Sequence, residues 1–111
     1  MTLVVIDASA GVEIVCNTWR GRALARLLPV EAEGWVPEHF YSELLGVLQR
    51  QLLGHKLSES QAKVAVGRLG AWHLHHASVA PLLQAAWAYR HNLTAADAFY
   101  VALADQLGAA C

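Results

Sequence analysis

Charge is scarce in this 111-residue chain. Eight Lys and Arg stand against nine Asp and Glu, 15% of all residues, for a formal net charge of −1. An average soluble domain carries about 25% charged residues. So balanced a chain has no general electrostatic hold on nucleic acid, and any phosphate chemistry needs a local basic patch or a metal. Cysteine is nearly absent: Cys16 and Cys111 alone imply no disulfide framework. Cys16, in an apolar run, reads as a small buried hydrophobe. Long hydrophobic runs are also missing. No stretch approaches 18 residues without a charge or turn signal, so no membrane span is expected. The opening MTLVVIDAS has no basic segment before its apolar run, so no signal peptide is expected. A soluble, cytoplasmic protein is the expectation. What is abundant is apolar surface, 56% of residues with a mean hydropathy of +0.33. That balance excludes intrinsic disorder. The length suits one domain, residues 1–111, and the apolar excess points to a partner as well as a core.

Leu3-Val4-Val5-Ile6 is a continuous apolar run that fits a strand buried on both faces, as in a parallel sheet. Asp7-Ala8-Ser9 ends it, and Ser9 is placed to cap a helix over 9–16. A second helix over 20–28 puts Leu24, Leu27 and Leu28 on one face and Arg20, Arg22 and Arg26 elsewhere, and Pro29 ends it. Trp35-Val36 predicts a very short strand. Pro37 then suits the first turn of a helix over 37–53, with Phe40, Leu44, Leu45, Val47, Leu48, Leu52 and Leu53 as its stripe and Gly54 as its close. Ser58-x-x-Gln61 is a capping box for a helix over 58–70. Residues 72–79 predict a weak strand and 80–90 a helix. Thr94-x-x-Asp97 opens the last helix, with Asp in place of the usual Glu, and Gly108 is its C-cap. Strands alternating with helices predict an α/β domain with a small parallel sheet.

Three acids stand out by position. Asp7 follows the most buried strand, at the sheet edge where open parallel sheets bind ligands. Glu43 interrupts an apolar helix, and Asp97 lies in the first turn of an Ala-rich one. Carboxylates converging above a sheet edge suit Mg²⁺ or Mn²⁺, which take hard oxygen ligands, waters and a phosphate. Each acid also has a local alternative: Asp7 as a helix cap, Glu43 as a solvated border residue, Asp97 as the capping partner of Thr94. Spacing alone does not decide. His73 and His75 alternate on a strand and share a face, but no third soft ligand is spaced to complete a zinc site. Arg20, Arg22, Arg26 and Arg50 fit either an RNA backbone or a solvated helix face.

The segments VVIDAS, WVPEHFYSELLGVL and AWAYRHNLTAADAFYVALADQLG, in that order, resemble the PIN-domain family, in particular the VapC-like toxins of toxin–antitoxin pairs. The resemblance covers essentially the whole chain. It implies a three-layer α/β/α fold and a metal-dependent endoribonuclease using Mg²⁺ or Mn²⁺. It also implies an RNA substrate, a cognate antitoxin and a homodimer. By position it assigns Asp7, Glu43 and Asp97 as catalytic and metal-binding residues, and Ser9 and Thr94 as contacts to substrate. Members of the family continue into a further strand that carries a fourth acid and pairs with the first strand. Here the chain reaches Cys111 where that strand begins, so the C-terminal strand is expected to be missing and the first strand to have a bare edge. A catalytically weak, protein-binding relative is the alternative expectation.

Overall fold

A computed structural model describes residues 2–111. In chain order the elements are β1 (Leu3–Val5), α1 (Ala8–Val15), α2 (Trp19–Leu27), β2 (Glu33–Pro37), α3 (Phe40–Leu53) and α4 (Glu59–Ala71). They continue with β3 (His75–Ala77), a 3₁₀ turn (Ala80–Leu82), α5 (Leu83–Trp87) and α6 (Ala95–Leu107). The α/β class and the small parallel sheet expected from the sequence are observed. No described helix is long and apolar enough to cross a membrane. The chain divides into two units. One holds the chain through Asp7, residues 29–40 and residues 74–111; the other holds residues 8–28 and 41–73.

The first unit contains the sheet, in the order β1-β2-β3 with both pairs parallel. Val5 pairs with Trp35, and Trp35 with His75. Parallel neighbours need long crossovers, which is why two helices separate each pair of strands in the sequence. Pro37 is the last residue of β2 rather than the first turn of a helix, and α3 starts only at Phe40. The ladder explains this. The Ile6 N–H donates to the Trp35 carbonyl at 3.1 Å. The next rung would need an N–H at position 37, and proline has none, so the β1–β2 ladder stops there. The outer edge of β1 is not wholly bare. Val5 N–H donates to the Ala110 carbonyl at 2.8 Å, and Val4 forms a parallel bridge with Ala110. The helix α6 packs along β1 and β2, burying Ala98, Tyr100, Ala102, Leu103 and Ala104.

The second unit is helical. Ser9 is the second residue of α1, not its cap, because the helix already begins at Ala8. The observed cap is Thr18, whose hydroxyl accepts from the Gly21 N–H at 3.0 Å and opens α2. The same hydroxyl donates to the Glu13 carboxylate. Here α1 and α2 approach so closely that a Cβ at Gly21 would stand 2.0 Å from the Glu13 carbonyl oxygen, a space only glycine leaves open. On α3 the buried stripe is Phe40, Leu44 and Leu48, at four-residue intervals, while Leu45 and Leu53 are exposed. The left-handed residue after α3 is His55 (φ 60°), not Gly54. The capping box of α4 is complete: Ser58 Oγ accepts from Gln61 N–H at 3.1 Å and Gln61 Oε1 accepts from Ser58 N–H at 2.9 Å.

Candidate active site at the sheet edge

In a parallel sheet all strands end on the same edge. In the first unit β1 runs out at Asp7, which is exposed. Beyond β2 come Glu38 and His39, and beyond β3 comes Ser78, whose hydroxyl donates to Glu38 Oε1 at 3.4 Å. The first turn of α6 is brought to this same edge. His39, two residues past β2, places Nε2 at 3.3 Å from the Ala96 carbonyl oxygen. Its ring also meets those of Phe99 and Tyr100 edge-on, with centroids 5.4 and 5.2 Å away. Asp97, the residue after Ala96, is therefore carried to the edge where Asp7 leaves the sheet.

Thr94 caps α6, its hydroxyl accepting from the Asp97 N–H at 3.2 Å. The Asp97 carboxylate does not return the bond to Thr94, and among the described residues it has no hydrogen-bond partner. It is exposed, in the first turn of a 13-residue helix. The N-terminal end of such a helix carries a partial positive charge that favours anions. Near Asp7 lies Cys111. Burial pushes its thiol pKa up, and the Asp7 charge adds to the rise.

Glu43, half-buried on α3, and Ser9, exposed on α1, belong to the second unit. Among the described residues no group of three His, Cys, Asp or Glu side chains is gathered to hold a metal ion. His75 stacks on Trp35, with centroids 4.9 Å apart, and its Nε2 lies 3.5 Å from Glu33 Oε1. The basic residues of α2 are exposed; Arg20 lies over the Trp19 ring at 5.4 Å and Arg22 donates to the Asn17 carbonyl at 2.6 Å. Sequence reasoning passed over Glu38 and His39. The available signal was their place immediately after a strand that ends in proline.

The family profile of the PIN domain matches residues 4–111 of this chain. Ribonuclease VapC12 of Mycobacterium tuberculosis is 34% identical over 106 residues, spanning 96% of this chain and 81% of that protein. Ribonuclease VapC1 of the same organism is 33% identical over 104 residues, 93% of this chain and 78% of its own length. Ribonuclease VapC3, also from that organism, is 30% identical over 105 residues, covering 95% and 77%.

Proposed function

Because this chain belongs to the PIN-domain family, we propose that it is a metal-dependent endoribonuclease, the toxin of a type II toxin–antitoxin pair. The observation that carries the reading is the delivery of Asp97 by α6 to the sheet edge where Asp7 emerges. Both acids are exposed and offer hard oxygen ligands, the donor type that Mg²⁺ and Mn²⁺ require. A site with few protein ligands still fits Mg²⁺, which usually keeps several waters and binds through one or two carboxylates and a substrate phosphate. When bound, the metal lowers the pKa of a coordinated water and neutralises charge on the scissile phosphate.

The chain's own residues supply binding and orientation. The helix α6 points its positive end at an incoming phosphodiester. Thr94 secures the turn without engaging the Asp97 carboxylate, which keeps that group available. Glu43 is assigned, by the family pattern, to orient the attacking water. Ser9 and Thr94 are assigned to contact substrate. Exposed Trp19, Leu27, Val30 and Trp87 supply apolar surface for an antitoxin and for a second copy of the chain.

A second reading, a protein-binding relative with weak catalysis, draws on the lack of a three-ligand group among the described residues. One experiment separates the two. Purified protein is assayed on RNA with Mg²⁺, with Mn²⁺ and with EDTA, beside the Asp7→Asn variant. Cleavage that needs metal and is lost with Asp7→Asn supports the nuclease. Absence of cleavage in the wild type overturns the nuclease reading in favour of the second, and cleavage equal in both proteins overturns the assignment of Asp7.

A further inference from the structure

The peptide group between Ala96 and Asp97 is held at both of its polar atoms. Its N–H donates to Thr94 Oγ at 3.2 Å, a contact local to the helix start. Its carbonyl oxygen lies 3.3 Å from His39 Nε2, which arrives from 57 residues away in the sequence. A carbonyl only accepts, so His39 must carry its proton on Nε2 for this contact. The ring has little freedom to leave, because it is wedged edge-on against Phe99 and Tyr100, and Tyr100 is buried. A peptide plane pinned at both ends fixes the backbone from which the next side chain departs. That side chain is Asp97.

From this geometry we infer that His39 is a positioning residue for Asp97: its Nε2–H grips the Ala96 carbonyl and so sets the direction in which the Asp97 carboxylate faces the metal and the phosphate. The inference rests on the nuclease reading above. His39 touches neither metal nor substrate in this role. It acts as an outer partner that orients a ligand, the kind of contact whose loss costs about 10- to 100-fold in metal affinity or activity. The position also makes structural sense. His39 directly precedes the buried Phe40 that starts α3, so the clamp is tied to the end of β2 rather than to a free loop.

The test compares Mn²⁺ affinity, by titration calorimetry, in wild type, His39→Leu, His39→Gln, Asp97→Ala and the His39→Leu/Asp97→Ala double variant. His39→Leu keeps apolar bulk and removes the donor; it should bind Mn²⁺ about tenfold more weakly. The amide of His39→Gln offers an N–H at a reach similar to Nε2 and should restore most of the affinity. In the absence of the Asp97 carboxylate, His39→Leu should add no further loss. RNA cleavage should show kcat lowered in His39→Leu with KM unchanged. Equal affinity in wild type and His39→Leu, equal losses in the Leu and Gln variants, or a further loss on the Asp97→Ala background would each overturn the inference. Should His39→Leu fail to fold by circular dichroism, the shorter His39→Asn amide takes its place. It should lose what His39→Gln retains, and equal behaviour of the two overturns the role. A wild-type protein that takes up no Mn²⁺ overturns the functional reading itself, whereas uptake that ignores His39→Leu overturns only the clamp.

Discussion

Two helices in this molecule begin with the same local grammar and use it differently. At the start of α4 the Ser58 hydroxyl and the Gln61 amide bond each other's backbone, and the box is closed. At the start of α6 the Thr94 hydroxyl accepts from the Asp97 amide, but the carboxylate stays out of the cap. Side-chain length accounts for part of this, since Asp is one methylene shorter than the Glu or Gln that usually reaches back. The consequence is chemical. In α4 the third residue is spent on helix stability, and in α6 it is left for a ligand. A second contrast lies within α6. Asp105, near its far end, accepts from the Tyr89 hydroxyl, while Asp97 has no such partner among the described residues. Of the two acids on this helix, the one without a structural task is the one at the sheet edge.

The largest expected effect comes from removing that disengaged carboxylate. Asp97→Asn should lower metal-dependent RNA cleavage by about 10²-fold or more, as expected for loss of a metal ligand. Urea unfolding should change by less than about 1 kcal/mol, because the Thr94 cap remains and only a favourable charge at the helix start is lost. Cleavage retained in full would show that Asp97 is a surface residue like any other. Asp97→Gln sharpens the contrast by giving α6 the sequence of a full box. It should abolish cleavage while leaving stability unchanged or higher by a few tenths of a kcal/mol, about the size of one extra capping contact.

The caps themselves come next. Thr94→Ala and Ser58→Ala should each cost about 1 kcal/mol of stability in chemical denaturation. Only the first should also weaken Mn²⁺ binding, because only that cap holds a peptide next to a proposed ligand. Equal functional consequences of the two caps would erase the distinction drawn between α4 and α6. The smallest effect concerns Tyr89. Its hydrogen bond to Asp105, helped by burial and the carboxylate charge, raises the phenol above its ordinary value of 10.0. A folded-state pKa above the unfolded one means the contact stabilises fully below pH 10 and is lost as pH climbs through the raised value. Ultraviolet titration should show Tyr89 ionising late, and Asp105→Asn should bring it back. No change on that substitution would leave Asp105 as idle as Asp97.

Several features of the site were legible in the residues. The apolar run at Leu3–Ile6 marked β1 and put Asp7 at its end. Thr94 and Gly108 marked both ends of α6, the second with a left-handed φ of 62°. Other local readings are corrected by the structure. Pro37 suits a helix start by its own dihedral preference, yet here it closes a strand, because the next rung with β1 would need an N–H at position 37 and proline has none. Gly54 is the residue most at ease in a left-handed turn, yet the chain places that turn at His55, one residue later. Ser9 is a good cap in isolation, but the helix starts one residue before it. The place of His39 after a strand was legible, but its contact was not, since the partner is 57 residues away.

What the amino-acid sequence determined alone is therefore what short-range chemistry decides. The Ser58 and Thr94 hydroxyls bond to amides three residues on, Gly108 takes a left-handed φ, and an unbroken apolar run forms a strand. These interactions close within a few residues, so their outcome does not wait on the rest of the fold. Tertiary structure alone decided which acids share an edge and what holds them. The Ala96 carbonyl meets His39 only because a parallel ladder delivers the end of β2 to the start of α6. Gly21 is indispensable only because the Glu13 carbonyl lies where its side chain would be. Contacts of that kind depend on positions set by distant segments packing together, and no local pattern encodes where those segments will meet.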